Sequence, residues 1–174
     1  MSALYLLDAC VLIDANRDYY PIERVPEFWE WLLEMGKLDR IKIPQEFYEE
    51  VIFPRSPKDK EDPLVEWLKT NKDTLVLDEE VVVELVTRVT EQGYASDLTD
   101  EELFKIGRDP FLVAYALVDP QNRCVVTTER SSPSRSRANR KLPDVCDDFN
   151  VRRINTFILI QELDFRTGWR AHEQ

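Results

Sequence analysis

Four acidic residues stand where an apolar strand ends or where a helix begins. They are Asp8, Glu50, Asp109 and Glu129. In an open α/β sheet the carboxyl ends of the strands share one crevice, so side chains at these positions can converge although they are far apart in the chain. Converging carboxylates repel each other unless a cation lies among them, and a hard divalent cation held by oxygen ligands is the usual solution. The pattern therefore predicts a metal site built from carboxylates.

Each of these acids also has a purely structural interpretation. Asp8 could cap the helix that follows it, although a carboxylate after three apolar strand residues needs a partner. Glu50 has an acidic neighbour, Glu49, and only one of the two can face the cleft; helical periodicity favours Glu50. Asp109 precedes a proline and is a good N-cap. Capping and metal binding are compatible there, because a helix N-terminus can hold the carboxylate while its other oxygen faces the metal.

Further polar residues lie near the predicted strand ends. Asp144 could support the ligands or bind a second metal, and a surface or capping role is an equally open alternative. Asp14 is expected near the rim of the crevice. Thr127 or Thr128 could bond a metal-bound water, although β-branched residues at a strand end need no such reason.

A basic segment, residues 130–141, follows Glu129 directly. It is a Ser-rich loop that contains proline and no acid, and its cations are Arg130, Arg135, Arg137, Arg140 and Lys141. A run of this kind is ordinarily a solvated, mobile loop, but its position also suits substrate binding. The net charge of −11 argues against strong non-specific binding to a phosphate backbone, while leaving room for a local patch that guides a substrate.

Length and composition indicate one domain of ordinary size, residues 1–174, with a C-terminal tail at 165–174. The three cysteines have no CxxC spacing and are expected to be reduced in a cytosol. No apolar run is long enough for a membrane span, so we expect a cytoplasmic protein without a membrane partner. The single histidine, His172, lies in the tail, and zinc hydrolysis is therefore not expected.

Short apolar segments alternate with helical patterns along the chain. We expect strands at 4–7, 41–43, 124–128 and 151–154, and helices that include 26–35, 44–52, 79–92, 109–118, 143–149 and 156–163. Gly36 and Gly93 are expected to end two of these helices, and Trp29 is the aromatic expected to be most exposed, where it would suit a protein interface. This alternation predicts a three-layer α/β/α domain with a short parallel sheet.

Four segments in order resemble a PIN domain. They are DACVLID from Asp8, PQEFYEEVI from Pro44, DPFLVAYAL from Asp109 and VVTTE ending at Glu129. The resemblance covers roughly residues 4–160, and the FWEWL and KLPDVC segments are similar to a PIN-like branch that is mostly without an assigned function. Glu129 departs from the pattern, because an Asp is more usual there.

The resemblance implies a metal-dependent phosphodiesterase that acts on RNA, commonly the toxin of a bacterial toxin–antitoxin pair. Its metal would be Mg²⁺ or Mn²⁺, held by Asp8, Glu50, Asp109 and Glu129, with Asp144 as a further acid. An antitoxin partner and a possible homodimer are also implied. Oxygen ligands without histidine suit these two ions on independent chemical grounds.

Three hypotheses from different classes remain. The first is a metal-dependent ribonuclease toxin held inactive by a partner. The second is a PIN-fold interaction module that has lost catalysis, which the replacement at Glu129 keeps open. The third is an aspartyl phosphatase, which ranks last because such enzymes typically carry Asp-x-Asp after the first strand, and Cys10 occupies the second Asp position.

Overall fold

Four short parallel strands form the centre of the fold. The computed structural model describes residues 3–53 and 62–168, and its strands are β1 (Leu4–Leu7), β2 (Ile41–Lys42), β3 (Arg123–Val126) and β4 (Arg152–Ile154). Their order is β2-β1-β3-β4, and every pair is parallel. The chain leaves β1 toward β2 on one side and returns to β3 on the other, so the strand order reverses between β1 and β3. That reversal is where an open sheet forms its crevice.

Helices surround the sheet and complete the predicted three-layer α/β/α arrangement. They are α1 (Ala9–Asp14), α2 (Pro26–Lys37), α3 (Gln45–Ile52), α4 (Pro63–Thr70), α5 (Lys72–Leu75), α6 (Val83–Val89), α7 (Asp100–Ile106), α8 (Asp109–Leu117), α9 (Leu142–Asp148) and α10 (Thr156–Glu162). Single π-helical turns extend α1 over Ala15–Tyr19 and α6 over Thr90–Tyr94. The fold class expected from the alternating pattern is confirmed.

Helix α8 lies at the centre because it is apolar almost all round. Six of its nine residues are buried, from Pro110 to Ala116, and it packs against both α6 and β3. A helix without a polar face has to be covered on every side. The acid at its first position, Asp109, is thereby carried into the interior edge of the fold.

The helix expected at 79–92 begins later than the periodicity predicts. Its α-helical part is Val83–Val89, and Val82, just before it, is 40 % exposed. Glu79 explains the difference, because both of its carboxylate oxygens accept from the Arg123 guanidinium at 2.8 and 2.9 Å. This ion pair holds the segment before α6 against β3, and the segment does not form a helical turn.

Neither glycine that was expected to end a helix does so. Gly36 lies inside α2, and a Cβ atom there would come within 2.8 Å of Leu75 Cδ2. Gly93 lies inside the π-helical turn, and its Cβ atom would come within 2.7 Å of Val145 Cγ1. Both glycines therefore allow neighbouring helices to approach closely, which is a packing role that periodicity cannot distinguish from a stop signal.

The expectation of an exposed Trp29 is wrong. Its side chain is 1 % exposed, its Nε1 donates to the Tyr20 carbonyl at 2.7 Å, and its ring meets Trp67 edge-on. Phe165, the first residue of the expected tail, also packs into this aromatic cluster against Phe28. The α2 aromatics are thus core residues, and α2 packs against β2 and α5.

Some expectations fall on residues outside the described ranges. They concern His172 and the part of the expected tail that lies beyond residue 168. Within the described ranges all three cysteines are free, and no helix has the length and apolar character needed to cross a bilayer.

Trp29 provides a direct test of this packing. Replacing a fully buried Trp by Ala removes a large apolar side chain and a satisfied hydrogen bond, so Trp29→Ala should lower the free energy of unfolding by about 3–5 kcal/mol. The matched control is Leu38→Ala, which truncates a side chain that is 59 % exposed and should change stability by less than about 0.5 kcal/mol. Urea denaturation followed by circular dichroism measures both. Similar small changes in the two variants would contradict the buried position of Trp29.

Candidate functional site

Asp8 lies at the carboxyl end of β1, and its side chain is held in place by three groups. Its Oδ2 accepts from Thr127 Oγ1 at 2.7 Å and from the Cys10 thiol at 2.8 Å, and its Oδ1 lies 3.4 Å from the Cys10 amide. Only 8 % of the residue is exposed. Burial raises the pKa of Asp8, while the bonds from Cys10 and Thr127 act to lower it. Asp8 is therefore both the N-cap of α1 and an acid at the crevice.

The two threonines that directly follow β3 orient two acids that follow β1, Asp8 and Asp14. Thr127 is buried, and its hydroxyl donates to Asp8. Thr128 Oγ1 donates to Asp14 Oδ2 at 2.6 Å, and Asp14 also pairs with Arg17 at 2.7 Å. The threonine hydroxyls thus contact carboxylates, and they fix the direction in which those carboxylates point.

Asp109 opens α8 and experiences the charges of the other three predicted acids. Burial and the charges of Asp8, Glu129 and Glu50 together raise its pKa from 3.8 to about 8. Tyr94 donates to its Oδ2 over 3.5 Å, a long bond that acts in the opposite direction. Three of the four acids expected to converge therefore act electrostatically on the fourth, Asp109.

The two neighbouring glutamates of α3 have different surroundings. Glu49 accepts from Gln45 Nε2 at 2.8 Å and lies 3.6 Å from an Arg108 guanidinium nitrogen. Glu50 is the one whose charge acts on Asp109. Glu49 thus faces Arg108, whereas Glu50 acts on Asp109 together with Asp8 and Glu129. We call these four residues, Asp8, Glu50, Asp109 and Glu129, the acidic group.

Glu129 is turned toward the start of α9. Its carboxylate accepts from the Leu142 amide at 3.2 Å and lies 3.5 Å from Lys141 Nζ, while its own amide donates to Thr127 Oγ1. A carboxylate at a helix N-terminus is stabilised by the unpaired amides there. Glu129 is therefore occupied in holding α9, although its charge still contributes to the pKa of Asp109.

Asp144 has a separate set of partners from the other acids. One oxygen accepts from the Ser131 hydroxyl and the other from the Ser132 amide at 2.8 Å. Only 6 % of the residue is exposed. Both oxygens thus anchor the segment that follows Glu129.

The acidic group consists of carboxylates only, which is the donor type that Mg²⁺ and Mn²⁺ prefer. In the described part of the chain, no three His, Cys, Asp or Glu side chains stand close enough to form a ready metal site. The hydrogen bonds of Asp8 and Glu129 account for this spacing, because each carboxylate faces its own partners. The donor chemistry fits a hard cation, and binding one would require side-chain rearrangement.

The cations of segment 130–141 divide into two kinds. Arg137 pairs with Asp97 and Glu102, Arg140 pairs with Asp148, and Lys141 contacts Glu129. The side chains of Arg130 and Arg135 make no hydrogen bond or ion pair with the residues that the structure describes; the Arg135 amide donates to the Ser132 carbonyl at 3.0 Å. A short 3₁₀ turn at Arg137–Asn139 and the buried Ala138 further anchor the segment. Two of its five cations are thus left to face solvent or a ligand.

Two residues beside the acids were not predicted from the sequence. Cys10 was given no role beyond that of a reduced cysteine, but its thiol donates to Asp8 and its sulfur accepts from the Thr128 amide at 3.3 Å. Its position two residues after an N-cap acid was an available signal. Tyr94 lies on a distant turn, and no local pattern connects it with Asp109.

One comparison with known proteins gave a match. A family model described as Domain of unknown function (DUF4411) matches residues 5–167. No curated protein and no solved structure matched the chain.

The raised pKa of Asp109 has a measurable effect on stability. Between its ordinary pKa of 3.8 and about 8, the folded protein holds a proton that the unfolded chain releases, so the free energy of unfolding falls as pH rises. This contribution is at most about 1.4 kcal/mol per pH unit. Asp109→Asn should remove this pH dependence. The variant should therefore gain most stability relative to the wild type at pH 8, and this gain should shrink as the pH falls toward 4.

Thermal unfolding in EDTA over this pH range tests the expectation. Asp78→Asn, a change at an exposed acid, is the control and should follow the wild-type pH dependence. A parallel pH dependence of Asp109→Asn and the wild type would contradict the burial and crowding of Asp109.

Proposed function

Because the chain belongs to the family described as Domain of unknown function (DUF4411), which names no activity, we propose its function from the site itself: a Mg²⁺- or Mn²⁺-dependent ribonuclease of PIN-like type. The observation that carries this proposal is the meeting of the charges of Asp8, Glu50 and Glu129 on Asp109. Such crowding costs stability unless a cation relieves it. Functional sites are where proteins tolerate this cost.

The residues that would hold the ion are Asp8, Glu50, Asp109 and Glu129. When bound, Mg²⁺ or Mn²⁺ supplies an activated water and positive charge for the transition state of phosphodiester hydrolysis. Thr127 keeps Asp8 directed into the crevice, as partners of metal ligands commonly do. Asp109 carries a proton at neutral pH and has to release it before its carboxylate can bind a cation. Glu129 has to exchange its contact with the Leu142 amide for one with the ion.

RNA is the proposed substrate, and a toxin–antitoxin pair is the proposed setting. Both follow from the resemblance to PIN domains. The side chains of Arg130 and Arg135, which have no partner among the described residues and share cavities with Glu129 and Asp109, support a polyanionic substrate. Induced expression in a bacterial host should therefore arrest growth, while Asp8→Asn expressed at the same level should not. Equal growth of the two strains would remove the toxin part of the proposal.

Cleavage of a mixed RNA pool by the purified chain tests the central activity. We expect cleavage with Mn²⁺ or Mg²⁺, none with EDTA, and none in Asp8→Asn or Asp109→Asn. Glu50→Gln should also be inactive, whereas Glu49→Gln, which changes the neighbouring carboxylate that faces Arg108, should stay active. Thr127→Val should lower the rate about 10- to 100-fold, because an outer partner of a ligand is lost. Activity that survives in Asp8→Asn would contradict the proposed site.

Metal binding gives a second readout that does not depend on catalysis. Since Asp109 is protonated at pH 7, Mn²⁺ binding should release about one proton per site, and the affinity should rise as pH approaches 8. Calorimetry in buffers of different ionisation enthalpy measures the release. Asp109→Asn should bind Mn²⁺ more weakly and release fewer protons.

A catalytically inactive interaction module is the second candidate. It is favoured by the engagement of Asp8 and Glu129 in hydrogen bonds that serve α1 and α9. In that case calorimetry would find no Mn²⁺ site, and the RNA pool would remain intact with every protein. Binding of Mn²⁺ with proton release would exclude this candidate.

A further inference from the structure

A cavity of about 290 Å³ lies beside the acidic group, between the end of α7 and the basic segment. Its lining includes Asp109 and four cationic side chains: Lys105, Arg135, Arg140 and Lys141. Lys105 comes from a different element and was not among the residues singled out from the sequence. The cavity therefore joins the acids to positive charge from two parts of the chain.

Two of these four cations are already engaged with acids. Arg140 Nη1 bonds Asp148 and the Gly93 carbonyl, both at 2.6 Å, and Lys141 lies 3.5 Å from Glu129. Their charges are partly offset, and Arg140 is held in place by its partners. Arg140 and Lys141 therefore form part of the cavity wall and contribute little net positive charge.

The charges of the other two cations, Lys105 and Arg135, are not offset by a carboxylate among the described residues. Lys105 Nζ donates to Asn139 Oδ1 at 2.5 Å, and this partner is neutral. The Arg135 guanidinium has neither a hydrogen bond nor an ion pair within residues 3–53 and 62–168. Both residues are exposed, so they are free to meet a ligand.

Several other arginines of this acidic chain differ, because each of them has a carboxylate partner. Carboxylates pair with Arg17, Arg123, Arg137, Arg152 and Arg153. A lysine and an arginine that face one cavity without a carboxylate partner of their own match the chemistry of phosphate recognition, in which both side chains are common donors.

We infer that this cavity binds a phosphate group of an RNA strand, next to the phosphodiester that is cleaved, through Lys105 and Arg135. The identity of the ligand as RNA rests on the proposed function, whereas binding of a phosphate requires no metal and no cleavage. Because Asp109 borders the cavity, a strand anchored here passes the acidic group. Lys105 and Arg135 are therefore positioning residues for the substrate.

Fluorescence anisotropy with a short labelled single-stranded oligouridylate, in EDTA and over a series of salt concentrations, tests the inference. In Lys105→Ala/Arg135→Ala the affinity at low salt should fall about tenfold or more. The slope of log affinity against log salt should decrease by about 0.7, since one neutralised phosphate on a single strand contributes about 0.7. The matched control is Lys69→Ala/Arg24→Ala, which removes the same charge from exposed positions outside the cavity and should retain the wild-type slope. Circular dichroism verifies that both variants are folded.

The outcomes separate this inference from the proposed activity. If the wild type cleaves RNA but all three proteins bind the oligouridylate with the same slope, the phosphate site is rejected and the ribonuclease stands. If the wild type binds RNA and only the cavity variant loses affinity, the phosphate site stands, even when no protein cleaves with Mn²⁺. Absence of binding by the wild type overturns the inference.

Discussion

The parallel pairing of β1 with β3 is the constraint on which the rest of the site depends. Leu7 lies opposite Val126, so the next residue of each strand, Asp8 and Thr127, emerges at the same edge of the sheet. The hydroxyl of Thr127 then reaches the Asp8 carboxylate at 2.7 Å. A shift of register by one residue would turn each side chain to the other face of the sheet and separate this pair.

The second determinant is charge crowding at a buried position. Helix α8 is apolar on nearly every side, and its first residue, Asp109, is carried inward with it. Three further acids act on that carboxyl group, and its pKa rises to about 8. The packing of α8 and the electrostatics of the crevice are thus two aspects of one arrangement. The fold tolerates an acid that is protonated at neutral pH at the point where its strands end.

Periodicity predicted the elements well, because strands and amphipathic helices produce their patterns locally. The four strands and most helices were expected within a few residues, and so was the α/β/α arrangement. The errors arose where tertiary contacts decide. Glu79 is held by Arg123, Gly36 allows α2 to approach α5, and Trp29 is enclosed by neighbours from other elements. None of these contacts leaves a trace in the local sequence.

The site shows the same division. The acids at strand ends were found because topology places strand ends together, and Asp109 does experience the charges of the other three. Their hydrogen-bond partners could not be predicted. Asp144 holds Ser131 and Ser132, Arg137 is bound to Asp97 and Glu102, and Lys105 lies on a helix that the sequence does not connect with the crevice. Side-chain partners depend on distances between elements, which a single sequence does not encode locally.

Glu129 connects the crevice with a helix that is outside it. Its carboxylate serves the amide of Leu142, the first residue of α9, and Asp144 on the same helix holds the segment that begins just after Glu129. Residues 129–144 are therefore closed into a ring by hydrogen bonds at both ends. A ligand that attracts Glu129 away from Leu142 exposes an unpaired amide at the start of α9, so occupancy of the crevice and order in this helix are thermodynamically linked. Glu129 would in this way report, through a helix terminus, whether the crevice is filled.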